Sequence, residues 1–518
     1  MEEAAAARRA PAPRGRATHA AVRSVVLRGI GVVYAVAFVS LGVQVRGLLG
    51  SQGIAPAADL LAQARQVLGG VSLLHVPTLF WIGASDPLLV GACWVGAALG
   101  LCAAAGLVPR PALLGCWAIY LSLVTVGDVF LGYQWDALLL EGGLLAVFWA
   151  PGGLLPWRGP RREPGPVGLW LLRWLVFRLF FLSGVVKLAS GDEAWRDLTA
   201  LRYHYWTQPL PTLSSVGIDA LQRALPPLEI FSVAATLAIE LVAPCGIFAP
   251  RRVRLVSASL LVLLQLAIAA TGSYGFFNLL TIVLCLSLLD DAALGALVPP
   301  RWRARGIPPA EPPAPAERGR AATARAAAAA LGAAFVFTVT AATALDHVLP
   351  GPLPTAVEGL LDALAPLRSF NAYGLFAIMT KQRPEITLEG SRDGEHWKPY
   401  VFRWKPGPLD RAPGFAGLHM PRLDWQMWFA ALADCQREPW ILAFQARLLE
   451  GSPQVLGLLA SNPFPDLPPR RVRSWIALYR FADADARRRG LWWQRGEEAP
   501  YCPVLELRDG RLRVAPSP

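Results

Sequence analysis

Ionisable side chains inside long apolar runs are the first residues in this chain able to do chemistry. Residues 167–188 carry Arg173, Arg178 and Lys187, and Glu240 stands near the middle of 227–248. A charge within hydrocarbon is costly, so each needs a partner or a task. Arg173 lies near one end of its run and can snorkel. Arg178 and Glu240 both fall near mid-depth, which suits an interhelical ion pair or, equally, two groups facing a water-filled cavity. Lys187, in FLSGVVKL (181–188), lies near the other end. It either snorkels or, stripped of water, serves as a titratable base.

The segment after that lysine, DEAWRDLTALRYHYWTQPLP (192–211), is the most distinctive in the chain. Its Trp195, Tyr203, Tyr205 and Trp206 suit an aromatic belt at headgroup level. A belt does not explain Arg202, His204, Thr207 and Gln208 packed among them. With GYQWDALLLEGG (132–143) and TGSYGFFN (271–278), this loop is expected to form an outward-facing groove.

Other chemistries lack their residues. Five of the seven cysteines fall in apolar runs and no CxxC occurs, which argues against a thioredoxin-like oxidant. Cys435 and Cys502 stand outside those runs, and a bridge between them is open. Six scattered histidines without HExxH make a zinc site improbable, and no GxSxG, Walker loop or dinucleotide fingerprint is present.

The elements that position these residues follow from composition. Of 518 residues, 54% are hydrophobic and 17% charged, and mean hydropathy is +0.40, outside the range of a plain soluble enzyme. Residues 1–349 hold 27 Lys/Arg and 19 Asp/Glu; 350–518 hold 22 and 18 in half the length. The chain therefore divides into a body for lipid and a body for water. A hydrocarbon core needs about 20 apolar residues per helix. About nine spans are expected, at 29–48, 87–107, 112–131, 136–151, 167–188, 227–248, 253–271, 276–298 and 326–348. The third and fourth are weakened by Asp128, Asp136 and Glu141. With residues 1–28 as a basic cytoplasmic N-terminus, the inner segments carry 19 Arg and the outer ones five, the asymmetry expected of inner loops. An odd number of spans then places 350–518 on the outer side. Residues 29–298 form the multi-span domain, 299–325 a Pro/Arg-rich cytoplasmic linker and 326–348 the last span. The net charge of +12 lies in short loops and forms no single stripe, which excludes nucleic acid as a partner.

The body at 350–518 reads as a β-rich extracytoplasmic domain with a helical insert. EITLE (385–389), the GSRDG turn (390–394) and WKPYVFRW (397–404) form a hairpin signal. Helices are expected near 423–435 and 440–449, a shorter one before Asn462, and a strand at 472–481. Trp425, Trp428, Trp440, Trp475, Trp492 and Trp493 are assigned mainly to its core.

In these segments the chain resembles the lipase maturation factor family of multi-span membrane proteins. The likeness rests on GYQWDALLLEGG (132–143), FRLFFLSGVVKLASGDEAWRDLTALRYHYWTQPLPT (177–212), FNAYGLFAIMT (370–380), RPEITLEGSRDGEHW (383–397), PRLDWQMWFAAL (421–432) and NPFPDLPPRRVR (462–473), in fixed order. The resemblance implies an endoplasmic reticulum membrane protein in eukaryotes, or a cytoplasmic membrane protein in a bacterium. Its implied role is a folding and maturation factor, chaperone-like, for secreted lipase-like clients. Separately, SGVVKLASGDEAW (183–195) is similar to a membrane stretch of vitamin K-dependent gamma-carboxylases. That likeness implies a rival reading, an embedded enzyme with Lys187 as base.

The leading expectation is a membrane-bound maturation factor with no cofactor and no catalytic residue, whose partners are secreted clients and membrane lipid. Client contacts are expected at Arg202, Tyr203, His204, Tyr205, Trp206 and Gln208, and at Asn371, Tyr373, Arg422, Asp424 and Trp425. A transporter would need a longer polar path than Arg178 and Glu240 supply.

Overall fold

The computed structural model describes residues 17–156, 163–297, 320–349, 351 and 353–515. Three apolar helices come first: α1 (Ala20–Gly42), α2 (Asp86–Ala105) and α3 (Pro109–Val126). Asp86 and Pro87 open α2, and Gly106, left-handed at φ 80°, ends it. The shorter α4 (Gln134–Trp149) and the long α5 (Pro166–Ala189) follow. Two short helices, α6 (Ala200–Thr207) and α7 (Leu213–Ala224), lead to α8 (Pro226–Leu241), which a 3-10 turn extends to Phe248. Then come α9 (Arg251–Thr271), α10 (Phe277–Cys285) and α11 (Arg320–Val348).

Seven of these helices are long and apolar enough to cross a membrane: α1, α2, α3, α5, α8 with its extension, α9, and Ala326–Val348 within α11. The chain is an integral membrane protein. The expectation of about nine spans is corrected at two places. The run at 136–151 is the 16-residue α4, about 24 Å long at 1.5 Å per residue and short of a ~30 Å core. It is apolar because protein surrounds it. The run at 276–298 breaks after Cys285 into a 3-10 turn, Leu286–Leu288, and a short helix, Asp291–Leu297. The first span begins nine residues earlier than expected, because Asp291 Oδ1 accepts from the Ala21 and Val22 amides at 3.0 and 2.9 Å and starts the helix there. Helix α11 starts at Arg320, so the last residues of the expected linker are helical. The basic residues Arg8, Arg9, Arg14, Arg16, Arg158, Arg161, Arg162, Arg301, Arg303, Arg305 and Arg318 lie outside the described residues.

Small residues set the closest crossing. A Cβ on Gly31 would lie 2.6 Å from the Ala104 amide nitrogen, and one on Gly100 2.7 Å from that of Ala35. Helices α1 and α2 therefore meet backbone to backbone, a packing that apolar surroundings favour. Helix α11, largely exposed, is tied to α5 by Trp174 Nε1 donating to Thr340 Oγ1 at 2.9 Å.

Past the bundle, α12 (Thr355–Leu364) precedes an antiparallel sheet of order β2-β1-β3-β4-β5. Its strands are β1 (Arg383–Ser391), β2 (Trp397–Tyr400), β3 (Arg471–Phe481), β4 (Trp493–Arg508) and β5 (Arg511–Val514). Leu388 pairs with Tyr400 across the hairpin and with Ser474 across the β1–β3 ladder. Helices α13 (Arg422–Ala431) and α14 (Pro439–Leu449) are the insert. Trp425, Trp428, Trp440 and Trp493 are buried, whereas Trp475 and Trp492 are half-buried. A disulfide joins Cys435, after α13, to Cys502 on β4.

The sheet domain and the loop after α5 share one end of the bundle. Trp428 Nε1 donates to Thr207 O at 2.7 Å, and Arg383 Nη1 to Trp206 O at 3.0 Å. The opposite end gathers His19, Glu163 and Asp291.

Candidate functional site

Between α12 and β1, residues 370–379 run as an irregular strap laid into the bundle, and the buried charges of the spans are turned towards it. Irregular backbone at membrane depth must find internal partners, because lipid offers none. Here the spans' own side chains provide them. Arg178 Nη1 donates to Asn371 O at 2.6 Å, Lys187 Nζ to Leu375 O at 3.0 Å, Trp195 Nε1 to Phe376 O at 3.0 Å and Ser190 Oγ to Ala377 O at 2.8 Å. The Gly374 amide donates to Gln134 Oε1 at 3.1 Å. A Cβ at Gly374 would lie 2.7 Å from His347 Nε2 and 3.1 Å from Val186 Cγ2, so a larger residue would have to displace the His347 ring.

Two ion pairs anchor the strap. Arg178 pairs with Glu141 of α4, both fully buried, and Tyr373 Oη and the Asn371 amide nitrogens donate to Glu141 Oε2 at 2.7 and 3.2 Å. Lys187 pairs with Glu240 at 2.8 Å. The expected Arg178–Glu240 pair does not form. Nine residues, about 13.5 Å of helix, separate Arg178 from Lys187, and Glu240 of α8 stands at the level of Lys187. Nor does Lys187 snorkel. It is 3% exposed, and its three protons go to Ser183 O, Glu240 Oε1 and Leu375 O.

A third buried pair fastens the insert to the bundle. Arg422 Nη1 and Nη2 grip Asp136 of α4 at 2.6 and 2.7 Å, Tyr120 Oη donates to the same carboxylate at 2.5 Å, and Phe130 O accepts from Arg422 at 3.0 Å. Asp424 beside it accepts the Trp404 and Lys405 amides at 2.8 and 2.9 Å, while burial pushes its carboxyl above the usual range. Arg383 of β1 spans three carbonyls of the loop, those of Trp206, Gln208 and Pro209, and pairs with Glu385 at 2.6 Å. Burial lowers its pKa despite that carboxylate.

Above the Lys187–Glu240 pair lie two cavities. One, of about 670 Å³, is lined by Tyr133, Trp135, Trp425, Trp428 and Phe429 and reaches down to Ser183. The other, of about 560 Å³, lies between α8 and α9. Lys187, Glu240, Ile268, Tyr274 and Phe376 line both. Phe376 takes φ 55°, an uncommon conformation for a bulky residue, and its ring meets those of His204 and Tyr274 edge-on at 5.0 and 6.0 Å. His204 faces Tyr274 Oη at 3.2 Å, and Tyr274 donates to Gln208 Oε1 at 2.8 Å. Burial, and secondly the Lys187 cation, hold the His204 imidazole down at about 4. Gly132, Tyr133, Pro209, Tyr274 and Phe277 share the first cavity, so the three polar stretches do converge.

Of the residues expected to meet a client, Tyr205, Gln208, Tyr373, Arg422, Asp424 and Trp425 are buried, and Trp425 faces the larger cavity. Arg202 is exposed, and Tyr203, His204, Trp206 and Asn371 are half-buried. Arg202 and Trp206 line a separate polar groove of about 430 Å³ at the loop's edge. Sequence reasoning gave no role to Phe376, Arg383 or Lys405. The acids at 136 and 141 were the available signal, but their insert and strap partners lie 286 and 230 residues away, beyond any local pattern. No group of three or more His, Cys, Asp or Glu among the described residues is placed to hold a metal.

Apolar spans that hold, by buried ion pairs, a strap from their own sheet domain define a multi-pass membrane protein with a docked β-domain. The chain belongs to the lipase maturation factor family: the lipase maturation factor transmembrane domain matches residues 21–296 and the lipase maturation factor C-terminal domain matches 369–503. Lipase maturation factor 2 of Gallus gallus is 35% identical, with 95% of this chain and 82% of the relative aligned. That of Homo sapiens is 34% identical (95% and 84%), and lipase maturation factor 1 of Bos taurus 33% (94% and 90%). No solved structure matches the chain.

Proposed function

We propose that this chain assists the maturation of a secreted lipase-like enzyme, acting at the membrane through its sheet domain on the outer, oxidising side. The observation that carries this reading is that the family likeness runs through both the spans and the sheet domain, in a chain aligned over 95% of its length. The arginine asymmetry supports the orientation. So does the Cys435–Cys502 bond, a linkage that persists in oxidising compartments. Client surface is offered by exposed apolar side chains of the outer region, Ile378 at 70% and Phe415 at 61% exposure among them. The family match lends no support to the carboxylase-like alternative.

The test is deletion of the gene in its host. The active fraction of a secreted lipase should fall while its transcript is unchanged, and the natural chain supplied from a plasmid should restore it. Normal specific activity of every secreted lipase in the deletion strain refutes the proposal. A cytosol-only reporter active after residue 515 refutes the orientation.

A further inference from the structure

The cavity between α8 and α9 opens sideways. Phe231 and Leu263 on its walls are 69% and 60% exposed, on helices that cross the membrane, so what lies against them is hydrocarbon. Its floor is the Lys187–Glu240 pair and its upper end is Leu228 and Gln222. The twelve residues from Leu228 to Glu240 make about 18 Å of helix at 1.5 Å per residue, close to one leaflet of a ~30 Å core.

At the upper end the cavity meets the polar groove, and Gln222 lines both. Gln222 is 4% exposed, yet its amide closes no hydrogen bond of good geometry on either atom; the Tyr205 hydroxyl is the polar group beside it. The groove carries opposed charges. Arg202 pairs with Glu229 and Arg223 with Asp219; Asp483 accepts from the Ala486 amide and from Gln494 Nε2, both at 2.8 Å, but neither it nor Arg480 forms an ion pair among the described residues. Arg480 leans over the Trp206 ring at 5.8 Å.

We propose that this continuous path is the site of a zwitterionic glycerophospholipid from the leaflet on the sheet-domain side. One acyl chain fills the α8–α9 cavity, the ester region meets the Gln222 amide, and the head lies in the groove with its phosphate on Arg480 and its ammonium on Asp483. A hydrocarbon slot one leaflet deep fits an acyl chain, a volume of this order is that of a small-ligand site, and a cation and a carboxylate in one groove, neither of them ion-paired among the described residues, match a head bearing both charges. An anionic lipid would unbalance a groove whose three arginines, Arg202, Arg223 and Arg480, match its three carboxylates, Asp219, Glu229 and Asp483. A free fatty acid would leave Asp483 without a cation.

The full chain is reconstituted in phospholipid nanodiscs containing a trace of phosphatidylethanolamine with a diazirine in its acyl chain, irradiated, and its adducts mapped by peptide mass spectrometry. Adducts should concentrate around Ala235 of α8 and Ala267 of α9. Filling the cleft with Ala235→Phe and Ala267→Phe should lower them about tenfold, while adducts at the lipid-facing Leu331 of α11 stay constant. Arg480→Gln, an exposed change that leaves the core intact, should lower cleft capture of this probe several-fold and leave a diazirine fatty acid's capture unchanged. Adducts spread evenly over α8, α9 and α11, or undiminished after filling, would overturn the site. Equal capture of a phosphatidylglycerol probe would overturn the zwitterionic head.

Discussion

Replacing Arg422 by Met should loosen the sheet domain from the bundle. Arg422 is 1% and Asp136 0% exposed, and two of the three hydrogen bonds that hold the Asp136 carboxylate come from Arg422. Without the guanidinium, Asp136 keeps only the Tyr120 hydroxyl, and Phe130 O loses its donor. Leaving one member of a buried pair uncompensated costs about 3–5 kcal/mol, whereas replacing both by apolar residues of similar size is often neutral. Arg422→Met and Asp136→Leu should each destabilise by about that amount, and the double variant by far less, a coupling of at least about 3 kcal/mol. Unfolding of the purified chain in detergent, followed by the fluorescence of its 19 tryptophans, measures the cycle. Hydrogen exchange over 422–431 reports undocking in the single variants. Additivity within about 0.5 kcal/mol would show that the pair does not hold the two parts together.

Three further outcomes follow from the geometry. The folded-state value of His204, about 4, lies below the ~6.5 of an unfolded histidine. The unfolded chain therefore binds this proton first: stability is level above pH ~6.5 and falls as pH drops towards 4, and His204→Gln should flatten that fall in a series of melting curves. Denatured but unreduced protein should titrate five thiols of the seven, and Cys435→Ser with Cys502→Ser should cost about 2–5 kcal/mol, read from protease resistance of the sheet domain. Gly100→Val should push α1 and α2 apart at a cost of about 1–3 kcal/mol, while the same change at Gly91, which meets nothing within 4 Å, should leave melting unchanged.

What was legible in the sequence was what repeats locally. Long apolar runs gave the spans because hydrocarbon demands them residue after residue, and EITLE with its Asp-Gly turn gave the hairpin because a strand's two faces alternate. Helix α4 misled because an apolar run has the same composition whether lipid or protein surrounds it. Strands β4 and β5 left little trace, since most of 494–500 is exposed and charged or small, without an apolar face to alternate. The site was legible as stretches and not as pairs. The charges at 178, 187 and 240 announced that partners exist, but which acid meets which base depends on the level at which α8 presents Glu240. The strap carries no charge between residues 370 and 379, so nothing marked its carbonyls as the acceptors.

Those carbonyls put the order of synthesis into the fold. Glu141 waits for an amide 230 residues downstream, and Lys187 for a carbonyl 188 residues downstream. At about 5–20 residues per second, the ribosome takes about 10–50 s to deliver them after the helices themselves have been inserted. Through that interval the nascent bundle holds cations and carboxylates whose coordination is incomplete, and a chain cut short after α11 never completes it.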